Sequence, residues 1–358
     1  KSLGILGFVL VCATSARAGN WVTSAEVGAN TAANINTVLG TGGQIQINNP
    51  ETITVDDNIT GCTGIVISDA GAVINFALNK KIIFANAAGV ITFSGAGALS
   101  ITGDVTGAGF DFVTTASGQT LTITSATNTL NNTTQSNRIL LGNGNTLRIV
   151  AGGTPVINSV VMSGTGTLDI DASATFTAVT NAGATSTTID VASGVIATIA
   201  TPTLSTAVTL NGAATSSVLA FTNAGTLTGT ITVTGSAEIE VNGASTITSI
   251  DHNATALVLD INESATITGL DNAGGTATTI DVASAKTLTV TTPTLSTAVT
   301  LNGAATSSVL AFTNAGTLTG TITVTGSPVI QFGGSSTVSR IDATTGTITD
   351  NGGTTVSD

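Results

Sequence analysis

His252 is the only histidine of the 358-residue chain, and it sits in Ile250-Asp251-His252-Asn253. A catalytic imidazole needs a nucleophile, a base or an orienting group within reach. No such partner is legible nearby, and the sequence position 91 residues later is Ala343, so His252 is expected to be a solvent-facing loop residue. Asp169-Ile170-Asp171 and Asp260-Ile261-Asn262-Glu263 set oxygen donors at alternating positions of a strand, on one outer face. Calcium would use such donors, but it requires more of them close together. The Gly-Gly-x-Gly-x-Asp repeat of calcium-binding coils is absent. Acid–base cleavage of a polysaccharide needs clustered carboxylates, with Arg, Lys or His to hold an acidic sugar. Here the acids are scattered, and Arg138, Arg148 and Arg340 each stand alone in sequence. The expectation is a non-enzyme with no catalytic, cofactor-binding or metal-ligating residue.

What must position these residues is a repeating β structure. Thr201–Ser236 recurs without change as Thr292–Ser327, an offset of 91 positions. Looser matches extend the register: Leu168-Asp169-Ile170 answers to Leu259-Asp260-Ile261, and Ile250-Asp251 to Ile341-Asp342. A long internal repeat is the signature of a stacked, quasi-one-dimensional fold. Thr230-Ile231-Thr232-Val233-Thr234 alternates strictly, as a half-buried strand does. Between such runs fall Asn-Ala-Gly at Asn181, Asn223, Asn272 and Asn314 and Asn-Gly at Asn211, Asn242 and Asn302, types that tolerate a sharp corner. The intervals between the Asn-Ala-Gly corners halve to about 21–25 residues per coil, which predicts an all-β parallel β-helix with about four coils in each 91-residue unit. An antiparallel sandwich or barrel would use the same turn residues as hairpins, but the constant coil length favours stacking.

Composition narrows the partners. The net charge is −12, only 8% of residues are charged and 3% are aromatic. That balance offers no footprint for nucleic acid or for an anionic membrane. Leu3–Val11 after Lys1, followed by Ala16-Arg17-Ala18, reads as a cleavable signal peptide over 1–18. The run is shorter than the ~20 residues of a membrane span. Residues 19–60, with Trp21 and Ile45–Val55, are expected to form an N-terminal cap and first strands, 61–160 an irregular solenoid, and 161–358 the solenoid carrying the repeat. Cys62, alone once the signal is removed, is expected to be a buried thiol, with an intermolecular crosslink as the alternative.

The Thr-x-Thr runs at Thr246, Thr266 and Thr287, spaced 20 and 21 apart, resemble the threonine ladders with which some solenoids order ice. Threonine's fitness for an exposed strand face explains them equally well. Taken together, the signal, the Thr/Ala/Gly/Asn-rich coils, the Asn-Ala-Gly turns and phrases such as Gly225-Thr226-Leu227-Thr228-Gly229-Thr230-Ile231-Thr232-Val233 resemble autotransporter passenger domains, nearest to the large rickettsial outer-membrane surface antigens. The resemblance implies a β-helical rod displayed extracellularly or on a bacterial outer membrane, often for adhesion. The aromatic-girdled strands of a translocator barrel are not seen in this chain. The function expected is a secreted or surface-displayed structural and adhesive rod. Its partner would be a host-cell, matrix or glycan surface. End-to-end self-association into a filament or surface layer is the alternative, with a polysaccharide-active enzyme and an ice-binding protein behind it.

Overall fold

The alternation read in Thr230–Thr234 is the unit from which the fold is built: Ile231 and Val233 are fully buried, and Thr230, Thr232 and Thr234 are half-buried. β-Branched and aliphatic side chains suit this pleated, one-sided burial. A computed structural model describes residues 43–47, 52–67, 72–77, 81–84, 90–93, 99–103, 111–114, 120–124, 129–130, 138–150 and 156–356, apart from Ala254, Thr306 and Thr344. The signal segment and Trp21 lie outside the described residues. Every regular element among those described is a strand. All the pairings are parallel, so the chain winds as the expected β-solenoid.

Each coil has three faces. On the first, Leu147, Leu168, Ile189, Leu210, Val233 and His252 succeed one another inward. On the second the series is Ile199, Phe221, Val241, Ile261, Val282 and Gly303. On the third it is Leu227, Ile247, Ile267, Val290, Phe312 and Phe332. Leu168, Ile189 and Leu210 follow at steps of 21 residues, which sets about 21 residues per turn. Nearly every inward residue is less than 3% exposed, forming one continuous core. Burying each such Leu or Ile is worth roughly 1.5–3 kcal/mol. At the N-terminal end, Gly43–Ile47 already pairs with Ile59–Ile67, while Thr52–Val55, Ala72–Phe76 and Leu99–Gly103 form a separate three-stranded sheet.

The 91-residue unit does not hold a whole number of coils. Leu210 lies on the first face, but its counterpart Leu301 pairs with Ile280 and Val324 on the second. Phe221 lies on the second face, and its counterpart Phe312 lies on the third, stacked on Phe332 with ring centroids 5.5 Å apart. Thirteen face segments of about seven residues separate the copies, so the unit spans four turns and one third. The expectation of about four coils holds, with one further face added. The cause is that the three faces are alike, each a short strand and a corner, so a segment fits any of them.

Close approach fixes some corners. A side chain at Gly229 would meet the Thr206 carbonyl at 1.8 Å, and one at Gly320 would meet that of Thr297 at the same distance. Glycine is required there by the backbone of the preceding turn, in both copies.

Candidate functional site

The candidate surface is lateral. It is made of the outward side chains of the three faces and the corners that hold them in place. Asn181 and Asn272, both fully buried, clamp equivalent corners. Asn181 Oδ1 accepts from the Ser205 and Thr206 backbone N–H groups at 2.7 and 3.3 Å, and its Nδ2 donates to Thr187 Oγ1 at 3.1 Å. Asn272 repeats this with Ser296, Thr297 and Thr278 at 2.7, 3.2 and 3.2 Å. Each Asn thus ties its own corner to the next turn, and its own buried amide finds partners there. The sequence marks these residues as turn formers. Their role as clamps between turns becomes legible only with a Ser-Thr pair 24 and 25 residues downstream.

His252 stands differently from expectation. It is fully buried, at the inward end of Thr246–His252, directly over Val233. Strand alternation carries Ile250 in, Asp251 out and His252 in. Its Nδ1 lies 3.0 Å from Thr278 Oγ1, the hydroxyl that Asn272 also reaches. A solvent-facing loop position is therefore corrected to a core position at the Asn272 corner. Gly275 makes the room, since a Cβ there would fall 2.5 Å from His252 Nδ1. The corresponding Asn181 corner carries Ala184 in that place.

Stacking partners Arg148, which reaches Asp171 at 2.6 Å and Asp169 at 3.2 Å on the next turn. Arg340 pairs with Asp342 at 2.7 Å, two positions along its own strand. The Arg148 guanidinium is fully exposed and the Arg340 pair lies open to solvent, so these pairs add little to stability. Arg138's side chain lies outside the described residues. Asp169 and Asp171 do face outward together, as the alternation implied.

The carboxylates form two ladders. On the first face Arg148, Asp169, Asp190 and Asn211 are stacked in successive turns. On the second face Glu240, Asp260, Asp281 and Asn302 are stacked in the same way. Asn262 Nδ2 bridges Asp260, Asn242 and Glu240 at 3.0, 3.1 and 3.3 Å. Burial, followed by its neighbours Glu240 and Asp281, holds the Asp260 carboxyl above the usual range, with the Asn262 hydrogen bond opposing. Burial likewise raises Glu238, with help from Asp260, Glu240 and Asp281. Asp169 is raised by burial and by Asp171, against the pull of Arg148. Among the described residues no group of three or more His, Cys, Asp or Glu is placed to hold a metal ion.

The threonine ladder is real but differently registered. Thr246 and Thr266 are paired in neighbouring turns, and Thr266 then pairs with Thr289, not with Thr287. Ala311 and Gln331 then interrupt the column before Thr349. Thr246, Thr266, Thr287 and Thr289, with Ser245 and Ser264, line an open groove of about 260 Å³. Cys62 is buried as expected, its Sγ 3.3 Å from the Gly64 carbonyl, and burial pushes the thiol up to about 12.

No helix among the described residues is long and apolar enough to cross a membrane. No family model, curated protein or solved structure matches the chain.

Proposed function

We propose that the chain is a secreted or cell-surface rod, structural and adhesive, resembling an autotransporter passenger. It would bind through its repetitive lateral faces. The observation that supports this reading most is the reuse of one segment, Thr201–Ser236 and Thr292–Ser327, on adjacent faces with the same buried clamps. A surface of short hydroxyl and amide side chains, repeated at strand spacing, makes many weak polar contacts. Such contacts add up when a partner is itself repetitive or immobilised. The partner class is a host-cell, matrix or glycan surface. Purified protein is expected to bind cells or immobilised matrix above a control protein of matched charge, and equal binding would refute adhesion.

Self-assembly into a filament or surface layer is a second reading. It is favoured by the parallel stacking itself, since each turn pairs with the next through backbone edges in a way that a second copy could extend. Sedimentation across a concentration series separates the two, because a rod that stays monomeric at high concentration rules assembly out.

A further inference from the structure

The repeat duplicates a surface as well as a scaffold. On the first face Thr188, Thr209 and Thr232 follow one another outward in three successive turns, and Asp190, Asn211 and Thr234 stand beside them. On the second face Thr279, Thr300 and Thr323 form the same column, beside Asp281, Asn302 and Thr325. The six side chains match position by position, and none of the twelve is buried. The next turn agrees too, because Asp251 lies over Thr232 and Asp342 over Thr323. The two patches look out from adjacent faces, about 20 Å apart along the axis at the spacing of stacked strands.

The chemistry of one patch selects its ligand. Each patch offers four hydroxyls, one amide and one carboxylate, with no cation and no aromatic ring. The aliphatic residues between its columns, such as Leu210 and Leu301, are buried, so it has no apolar contact to make. A polyanion is repelled by the carboxylate and by the net charge of −12. A polycation finds a single carboxylate, and on the second face Asn302 already donates to that of Asp281 at 2.5 Å. A peptide strand adding by backbone pairing needs an open sheet edge, whereas these strands are paired on both sides. What fits is an uncharged molecule that donates and accepts hydrogen bonds at closely spaced points. Sugar hydroxyls donate to the carboxylate and amide oxygens and accept from the amide N–H and the threonine O–H.

We propose that the two patches are paired binding sites for neutral polysaccharide, so that one chain cross-links two glycan strands. This inference rests on the adhesive reading and narrows its partner to glycan. β-Branched threonines are stiff at χ1, so the hydroxyls stand in place before the ligand arrives and little ordering is required of them. Each patch is shallow, and a single contact is weak. Because the patches belong to adjacent faces, a flat support engages one of them at a time, and filling both takes two strands or one strand that folds around the rod.

The test uses the full chain and beads coated with mannan, β-glucan, galactan or, as the charged control, heparin. The natural chain is expected to bind and agglutinate beads of at least one neutral polysaccharide and to leave heparin beads alone. Thr209→Arg blocks the centre of the first patch and Thr300→Arg that of the second. Thr234→Arg and Thr325→Arg, at the patch rims, serve if either does not fold. Each single variant is expected to stay on the beads with about tenfold weaker apparent affinity and to lose agglutination, and the double variant to lose both. Thr198→Arg, outward on the second face but outside both patches, should change neither. The proposal is overturned if no neutral polysaccharide is bound, if the double variant binds like the natural chain, or if a single variant still agglutinates. Cells bound equally by the natural chain and the double variant would leave adhesion standing without these patches. Cells bound by the natural chain no better than by a charge-matched control would refute adhesion itself.

Discussion

Gly275 leaves the space that His252 occupies: a Cβ at residue 275 would lie 2.5 Å from Nδ1 of the buried imidazole. The two residues are 23 positions apart in sequence and meet only because one turn stacks on the next. Gly275→Ala is therefore expected to destabilise the solenoid by about 2 kcal/mol, the cost of overpacking a filled core. His252→Val in the same chain should recover most of that loss. Denaturant unfolding of both single variants and the double variant checks this, and additive losses would show that the two sites are not in steric conflict.

Ala285 carries a φ of 60° where the first copy has Gly194 at 73°. A left-handed conformation costs a residue with a side chain roughly 1–2 kcal/mol. Ala285→Gly is expected to stabilise the chain by about 1 kcal/mol, less the greater freedom of glycine when unfolded. Gly194→Ala should cost a similar amount, which the same unfolding measurement can read.

Asn272 satisfies two backbone donors of the following turn. Asn272→Ala removes that acceptor at a part-buried corner, at about 1–3 kcal/mol in all. Amide exchange at Ser296 and Thr297 should accelerate, while exchange at Ser205 and Thr206, held by Asn181, stays unchanged. Acceleration at both corners would mean that the coils open as one unit and not locally.

Cys62 should be inert in the folded state. Burial pushes the thiol up to about 12, so almost no thiolate exists near neutral pH, and the thiolate is the reactive form. Alkylation at pH 8, mapped by mass spectrometry, is expected to modify Cys62 only after denaturant is added. Rapid modification of the native chain would contradict the buried position.

How much of this was legible in sequence depends on how local each signal is. The strict alternation of Thr230–Thr234 and the 91-residue repeat fix strand type and stacking, because both follow from side-chain periodicity. The fate of His252 was not legible, since an imidazole between Asp251 and Asn253 reads as polar until Gly275 is known to sit beside it. The pairing of Arg148 with Asp171 hides for the same reason, as does the register of Thr266 with Thr289. Turn length varies by a few residues at the corners, so equal spacing along the chain is only an approximate guide to neighbours in space. The Asn-Ala-Gly pattern marks Asn181 and Asn272 as corners, but hydrogen bonds that span a turn leave no mark within four or five residues.

The offset of Leu301 from Leu210 by one face has an outcome for growth by duplication. Each added unit would advance the pattern by a further third of a revolution, so three units in tandem would point the same segment in three directions and a fourth would realign with the first. A gene that lengthens by copying this unit would thus clothe all sides of its product with one motif, and no orientation of the molecule about its axis would present a bare flank.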